Sequence, residues 1–218
     1  MRIKDRDALQ QATLDFVALV SSESGIGMED FGVHGSVALD MHSAKSDIDV
    51  VVYGAQNFRR LEKVVDRLVN EQVLSYLFSN RLDAARRFKG RYLGRVFMYN
   101  AIRKPEEIST KYGEFKYKPL APIQFCCTVS DDGEAMFRPA TYKIRDYKPS
   151  NTASKLSDGM IPKQVVSMIG CYRNVARKDD KIRISGMLER VQNIKTGTVF
   201  HQAVVGTGTS EEEHVWPL

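Results

Sequence analysis

The chain has 218 residues, is 43 % apolar and 27 % charged, and carries a formal net charge of +5 with a pI near 9.0. That length buries a sizeable core as one large domain or two small ones, and the composition is that of a soluble globular protein. No apolar run approaches the roughly 18 residues of a membrane span, the charged start lacks a signal-peptide core, and Cys126, Cys127 and Cys171 show neither zinc spacing nor a disulfide framework, so the expectation is a cytoplasmic protein. The cationic surplus leans towards anionic partners such as nucleotide phosphates or nucleic acid, a lean that many basic enzymes share.

Residues 5–21 read as a helix, with Leu9, Ala12, Leu14, Phe16, Val17 and Val20 as its apolar stripe and Asp5 or Asp7 as its cap. After a loop, residues 31–37 read as a strand that breaks at Gly35-Ser36. A glycine there lets the backbone approach a ligand closely, and the serine hydroxyl with free N–H groups can hold phosphate oxygens. Residues 37–39 begin a short helix whose N-terminus favours an anion at the turn, and residues 40–46 form a polar turn in which His42 is a surface residue. Ser46-Asp47-Ile48-Asp49 then opens an apolar strand that runs to Gly54. Alternation puts Asp47 and Asp49 on one face and Ile48, Val50 and Val52 on the other. Two carboxylates side by side repel, and a hard divalent cation relieves the repulsion. A short Asp-x-Asp pair alone is common at strand ends; its combination with Gly-Ser on the preceding strand, across a polar loop, points to a functional site.

Residues 57–70 read as a helix buried through Phe58, Leu61, Val64, Val65 and Leu68 and capped by Asn57. Residues 72–88 read as a second helical stretch, ending in the most basic cluster of the chain, Arg86-Arg87-Phe88-Lys89-Gly90-Arg91, which suits either a solvated helix end or an anion contact. Residues 95–103 read as a buried strand without an acidic residue, and Glu106 and Glu107 open a short helix. Residues 121–129 and 134–144 pair as a hairpin, with Asp131-Asp132-Gly133 as turn chemistry and Pro139 marking an edge or a bulge. Residues 146–162 lack apolar periodicity and read as a linker or long loop. Residues 164–177 fit a helix face or a strand pair broken at Gly170, and residues 181–191 and 198–205 alternate as a hairpin, which suits either a small barrel of the oligonucleotide-binding kind or a padding hairpin. Gly206 to Ser210 lacks the lysine and following helix of a phosphate loop, and Glu211 to Glu213 read as solvated.

The run HGSVALDMHSAKSDIDVVVYG resembles the signature of the DNA-polymerase-β-type nucleotidyltransferase superfamily, in which a hydrophobic-Gly-Ser turn precedes Asp-x-Asp by about ten residues. MRIKDRD, IRKPEEI and FRPATYKI extend a looser likeness to an archaeal group of nucleotidyltransferases of unassigned substrate. The resemblance implies an α/β (α+β) fold, a small mixed sheet with flanking helices; the alternation of the later strands adds a β-rich C-terminal region, either barrel-like or a padding hairpin. The domains expected are 1–145 for the nucleotidyltransferase core, 146–162 as linker and 163–218 for the remainder. It further implies that Asp47 and Asp49 hold Mg2+ or Mn2+, that Gly35 and Ser36 seat a nucleoside triphosphate, and that the acceptor is a hydroxyl, RNA or another nucleic acid included. The superfamily carries a third carboxylate on the strand after the helix, and residues 96–100 here are Val, Phe, Met, Tyr and Asn. Either Asp131, Asp132 or Glu134 replaces it, or the protein is a catalytically degenerate binder of nucleotide or RNA; transfer onto a protein or a tRNA end is a third reading.

Overall fold

The computed structural model describes residues 6–208 and 212–218, so Asp5, Thr209, Ser210 and Glu211 lie outside the described residues. The chain divides into two units, Met1–Glu107 and Ile108–Leu218.

In the first unit, helix α1 (Ala8–Ser24) opens on Asp7, whose side chain accepts from the Leu9 and Gln10 N–H groups while Gln10 returns a bond to the Asp7 N–H, and it closes on Gly25. Strand β1 (Phe31–Val33), the four-residue helix α2 (Gly35–Ala38) and strand β2 (Ile48–Tyr53) follow. Helix α3 (Ala55–Asn70) begins two residues earlier than its spacing suggests. Its Ala55 N–H is taken by Glu107 Oε1 at 2.9 Å, while the expected cap, Asn57, bonds Asp30 and the Tyr53 carbonyl. The remaining elements are β3 (Ser75–Tyr76), α4 (Arg81–Arg86), β4 (Lys89–Tyr92) and β5 (Arg95–Ile102).

These strands form one mixed sheet in the order β1-β2-β5-β4-β3, with β2 and β5 parallel. Ile48, Val50 and Val52 face the same side as their partners Phe97, Tyr99 and Ala101, and all six are buried. That side is where α1 and α3 pack: Phe16 stacks on Phe97 with ring centroids 4.6 Å apart, and Phe58 lies 5.7 Å from Tyr99. Burying such aromatic and aliphatic side chains stabilises the unit by roughly 1.5–3 kcal/mol each. The helical stretch expected over residues 72–88 is mostly not helix. Only residues 81–86 are helical, and β3, β4 and β5 form a meander closed by Leu93 and Gly94, both at positive φ. Gly90 permits it, since a Cβ there would collide with the Ser75 carbonyl and Phe97.

In the second unit, β6 (Phe115–Glu134) is 20 residues long. It is followed by β7 (Ala140–Pro149), β8 (Gln164–Ser167), β9 (Lys181–Asn193), β10 (Val199–Val205) and β11 (His214–Pro217). β6 pairs with both β7 and β9, β7 with β8, β8 with β10 in parallel, and β10 with β9, so five strands close on themselves and β11 adds to β9. Ile123, Phe125, Cys127, Tyr142, Val165, Ile182, Ile184, Leu188 and Ala203 fill the interior. Burial pushes the Cys127 thiol up to about 12, which leaves it a packing residue.

The expected division at residues 146–162 is therefore corrected. Residues 115–145 cannot belong with the first unit, because β6 pairs along its length with β9. Nor are residues 146–162 a free linker: β7 runs to Pro149, and the buried Ser154 accepts the Gln124 N–H at 2.9 Å. Pro139 stands before β7, which lies between β6 and β8 and is no edge. Residues 164–167 are strand, and a short 3-10 turn at Gly170–Tyr172 follows. The backbone N–H groups of Gly206 and Thr207 donate to Glu213, which is buried by this bonding; Glu212 stays exposed.

Candidate active site

The sheet face opposite the two helices carries the Asp-x-Asp pair. Asp49 of β2 shares a row with Met98 of β5 and Lys89 of β4. Asp47 stands just before β2 with its carboxylate 3.9 Å from Lys89 Nζ, and its charge acts on Asp49. Both aspartates are half-buried. Burial pushes the Asp49 carboxyl above its ordinary range; His34 opposes that, the Asp47 charge reinforces it, and Lys89 opposes it.

Gly35 meets this pair. Strand β1 ends at Val33, the His34 N–H donates to the Asp49 carbonyl at 3.1 Å, and the chain then turns with Gly35 at φ +65. A Cβ on Gly35 would collide with Asp49 Oδ2, so only glycine lets the backbone lie against the carboxylate. Ser36 follows, half-buried, and its carbonyl accepts the Met41 N–H at 2.9 Å, which closes the loop. The structure thus brings Gly35, Asp47 and Asp49 together, with Ser36 next in the chain.

Three further residues join them from elsewhere. Asn100 of β5 is paired with Val51 and faces the Asp49 side. It is only 7 % exposed, its Nδ2 lies 3.3 Å from His34 Nε2, and its Oδ1 has no hydrogen-bond partner among the described residues. The alternation of residues 95–103 could have placed Met98 and Asn100 on one face, but nothing in it names the strand they lie beside. Lys89 is readable from the sequence only as part of the basic cluster at residues 86–91, and His34 only as a neighbour of the Gly-Ser turn. His42, expected at the surface, has a side chain only 7 % exposed, and its Nε2 lies 2.5 Å from Asp7 Oδ2. That contact ties the loop between the motif halves to the start of α1.

The basic cluster that ends α4 is largely engaged. Arg87 pairs with Asp66 at 3.1 Å, Arg86 lies over the Phe88 ring at 4.9 Å, and Lys89 turns to Asp47. Asp131, considered as a third acid, belongs to the second unit, where it accepts the Gly133 N–H and pairs with Lys143 at 2.8 Å. Among the described residues no three His, Cys, Asp or Glu side chains gather into a metal cluster. Two carboxylates with a buried, unpartnered amide oxygen nearby are nonetheless an oxygen donor set, which suits a hard cation such as Mg2+ or Mn2+.

A family model described as "Nucleotidyltransferase domain" matches residues 19–112, a span that contains Gly35, Ser36, Asp47, Asp49 and Asn100. Over 212 residues the chain is 26 % identical to the uncharacterized protein MJ1086 of Methanocaldococcus jannaschii, an alignment that takes in 88 % of this chain and 59 % of that protein. The chain thus spans about three fifths of that relative's length. No solved structure matches it. The span that resembles a nucleotidyltransferase domain thus lies almost wholly in the first unit and includes the turn at Gly35 packed against Asp49.

Proposed function

We propose that the chain moves a nucleoside monophosphate from a nucleoside triphosphate to a hydroxyl acceptor, releasing pyrophosphate, in a reaction dependent on Mg2+ or Mn2+. The observation that supports this best is the contact of the Gly35 backbone with the Asp49 carboxylate, beside Asp47. Asp47 and Asp49 hold the cation, and Ser36 with the N–H groups of the turn receives the triphosphate tail. The bound metal supplies charge neutralisation for the phosphates and lowers the pKa of the attacking hydroxyl. Lys89 adds a positive charge on the same side, and His34 steadies both the turn and Asp49.

Asn100 gives the alternative its specific support. It stands on the strand where the resembling superfamily has an acid, and an amide cannot accept a proton. A protein that kept the fold and lost catalysis would bind nucleotide or RNA without transfer. Calorimetry with ATP separates the two readings, because the enzyme binds the triphosphate in a Mg2+-dependent way. Transfer of labelled nucleotide that survives Asp49→Ala defeats the enzymatic reading. With the aspartate contributing several kcal/mol through the metal, the expected loss is about a thousandfold.

A further inference from the structure

The outer face of the barrel gathers cations around the single tryptophan of the chain. The second unit carries 16 Lys or Arg against 12 Asp or Glu, so most of the chain's +5 resides there. Register across β7, β6, β9 and β11 sets Lys148, Cys126, Arg183 and Trp216 in one row. The row to one side holds Gln124, Ser185 and His214, and the row to the other holds Arg145, Thr128 and Lys181. Phe125, Ile184 and Val215 between these rows point into the buried interior, so the rows lie on the other face, where Gln124, Arg145, Lys148, Lys181 and Arg183 are exposed and the small Ser185 and Thr128 are buried.

No acidic residue stands in the three rows. Lys148, Lys181 and Arg183 are exposed, and no carboxylate pairs with them among the described residues. Arg145 is already engaged, by Asp179 at 2.7 Å and by the bulged Asp146 at 3.8 Å. His214 and Trp216 have ring centroids 5.8 Å apart and are both partly exposed. With neighbouring strands about 4.8 Å apart, the row from Lys148 to Trp216 spans roughly 14 Å.

We propose that this face binds single-stranded nucleic acid, with bases stacked on Trp216 and His214 and phosphates held by Arg183, Lys148 and Lys181. Aromatic rings offer every base a stacking surface whatever its identity, and cations beside them track the backbone. A broad sheet face presents no helix or ribbon to a duplex major groove, and stacking needs unpaired bases. Five strands closed so that the first pairs with the second and fourth also form the architecture of oligonucleotide-binding barrels. Architecture alone hosts many functions, so the outward rows carry the argument. The surface lies in the second unit and stands independently of the metal chemistry proposed for Asp47 and Asp49.

Trp216 reports on its own site. The full chain is titrated with a short oligothymidylate in EDTA, following tryptophan emission and, in parallel, anisotropy of a labelled oligonucleotide. Saturable quenching is expected, with log K falling against log salt by about 0.7 per phosphate neutralised, or roughly 2 for three cations. The Lys148→Glu, Arg183→Glu pair should weaken binding at least about tenfold and flatten the salt slope. Trp216→Phe should weaken it by anisotropy, with less effect on the slope. A duplex of the same length should bind more weakly. Asp49→Asn should bind as the unsubstituted chain does, so loss of nucleotidyl transfer and loss of this surface are told apart. Absence of saturable binding, affinity indifferent to the double charge reversal in a protein of unchanged circular dichroism, or preference for the duplex overturns the proposal.

Discussion

Asp49 is held at a cost to the fold. Its carboxyl is raised because burial penalises the ionised form, and the Asp47 charge adds to that. A raised carboxyl contributes stability that is present below the ordinary carboxylate range and is lost as pH rises through the folded-state pKa. Asp49→Asn fixes the neutral form. In EDTA at neutral pH the variant should melt higher than the unsubstituted chain, with the difference vanishing below about pH 4, the ordinary aspartate value, while transfer is abolished. Thermal unfolding across that pH range checks the first outcome and labelled-nucleotide transfer the second. Gly35→Ala should act oppositely on stability. A non-glycine residue at positive φ costs about 1–2 kcal/mol, and its Cβ would displace Asp49 Oδ2, so both the urea midpoint and activity should fall. As candidates, Gly35, Ser36, Asp47 and Asp49 are legible in the sequence because one short stretch carries them all. The roles of His34 and Asn100, and the placement of Lys89 beside the aspartates, are not, since only strand pairing brings the last two to Asp49 and His34 is an ordinary residue until its turn is seen.

At the scale of elements, the helices with apolar stripes and the alternating strands are readable, while residues 72–88, expected as helix, are mostly not helical. Their Leu-rich, Arg-rich composition favours helix, and the turn between β4 and β5 gives no Asn-Gly or Asp-Gly signal. That turn uses Leu93 at φ 47 instead, a residue 80 % exposed. The strain predicts a remedy: Leu93→Asn, which tolerates the left-handed region, should stabilise the protein by about 1 kcal/mol in urea unfolding without changing transfer. Tyr76 fastens the same meander to α3 through Asp66 at 2.5 Å, and its hydroxyl is pushed up by burial and by that carboxylate.

Across the whole molecule, the boundary between units was hidden by distance in sequence. Strand β6 finds its longest partnership in β9, some sixty residues on, and nothing local announces such a pairing. The Pro-, Ser- and Asn-rich segment that looks like a linker is instead bound to β6 by Ser154, which accepts the Gln124 N–H, and is braced within itself by Tyr147, which donates to the Ser154 carbonyl at 2.7 Å. Closure of the barrel depends on Gly186, where a Cβ would collide with the Val204 carbonyl. Gly186→Val should cost about 2–3 kcal/mol by overpacking and broaden the unfolding of the second unit, as measured by circular dichroism. None of the described helices is long and apolar enough to cross a membrane.

One carboxylate, Asp7, serves two segments thirty-five positions apart, receiving the first amides of α1 with one oxygen and His42 with the other. The Gln10 amide, above all, and then His42 hold its pKa below the ordinary range, so the clasp persists through mild acid and fails only when pH drops past that lowered value. Deuterium uptake should then rise simultaneously at the helix start and in the loop that separates glycine from aspartate, two stretches that would otherwise loosen on unrelated schedules.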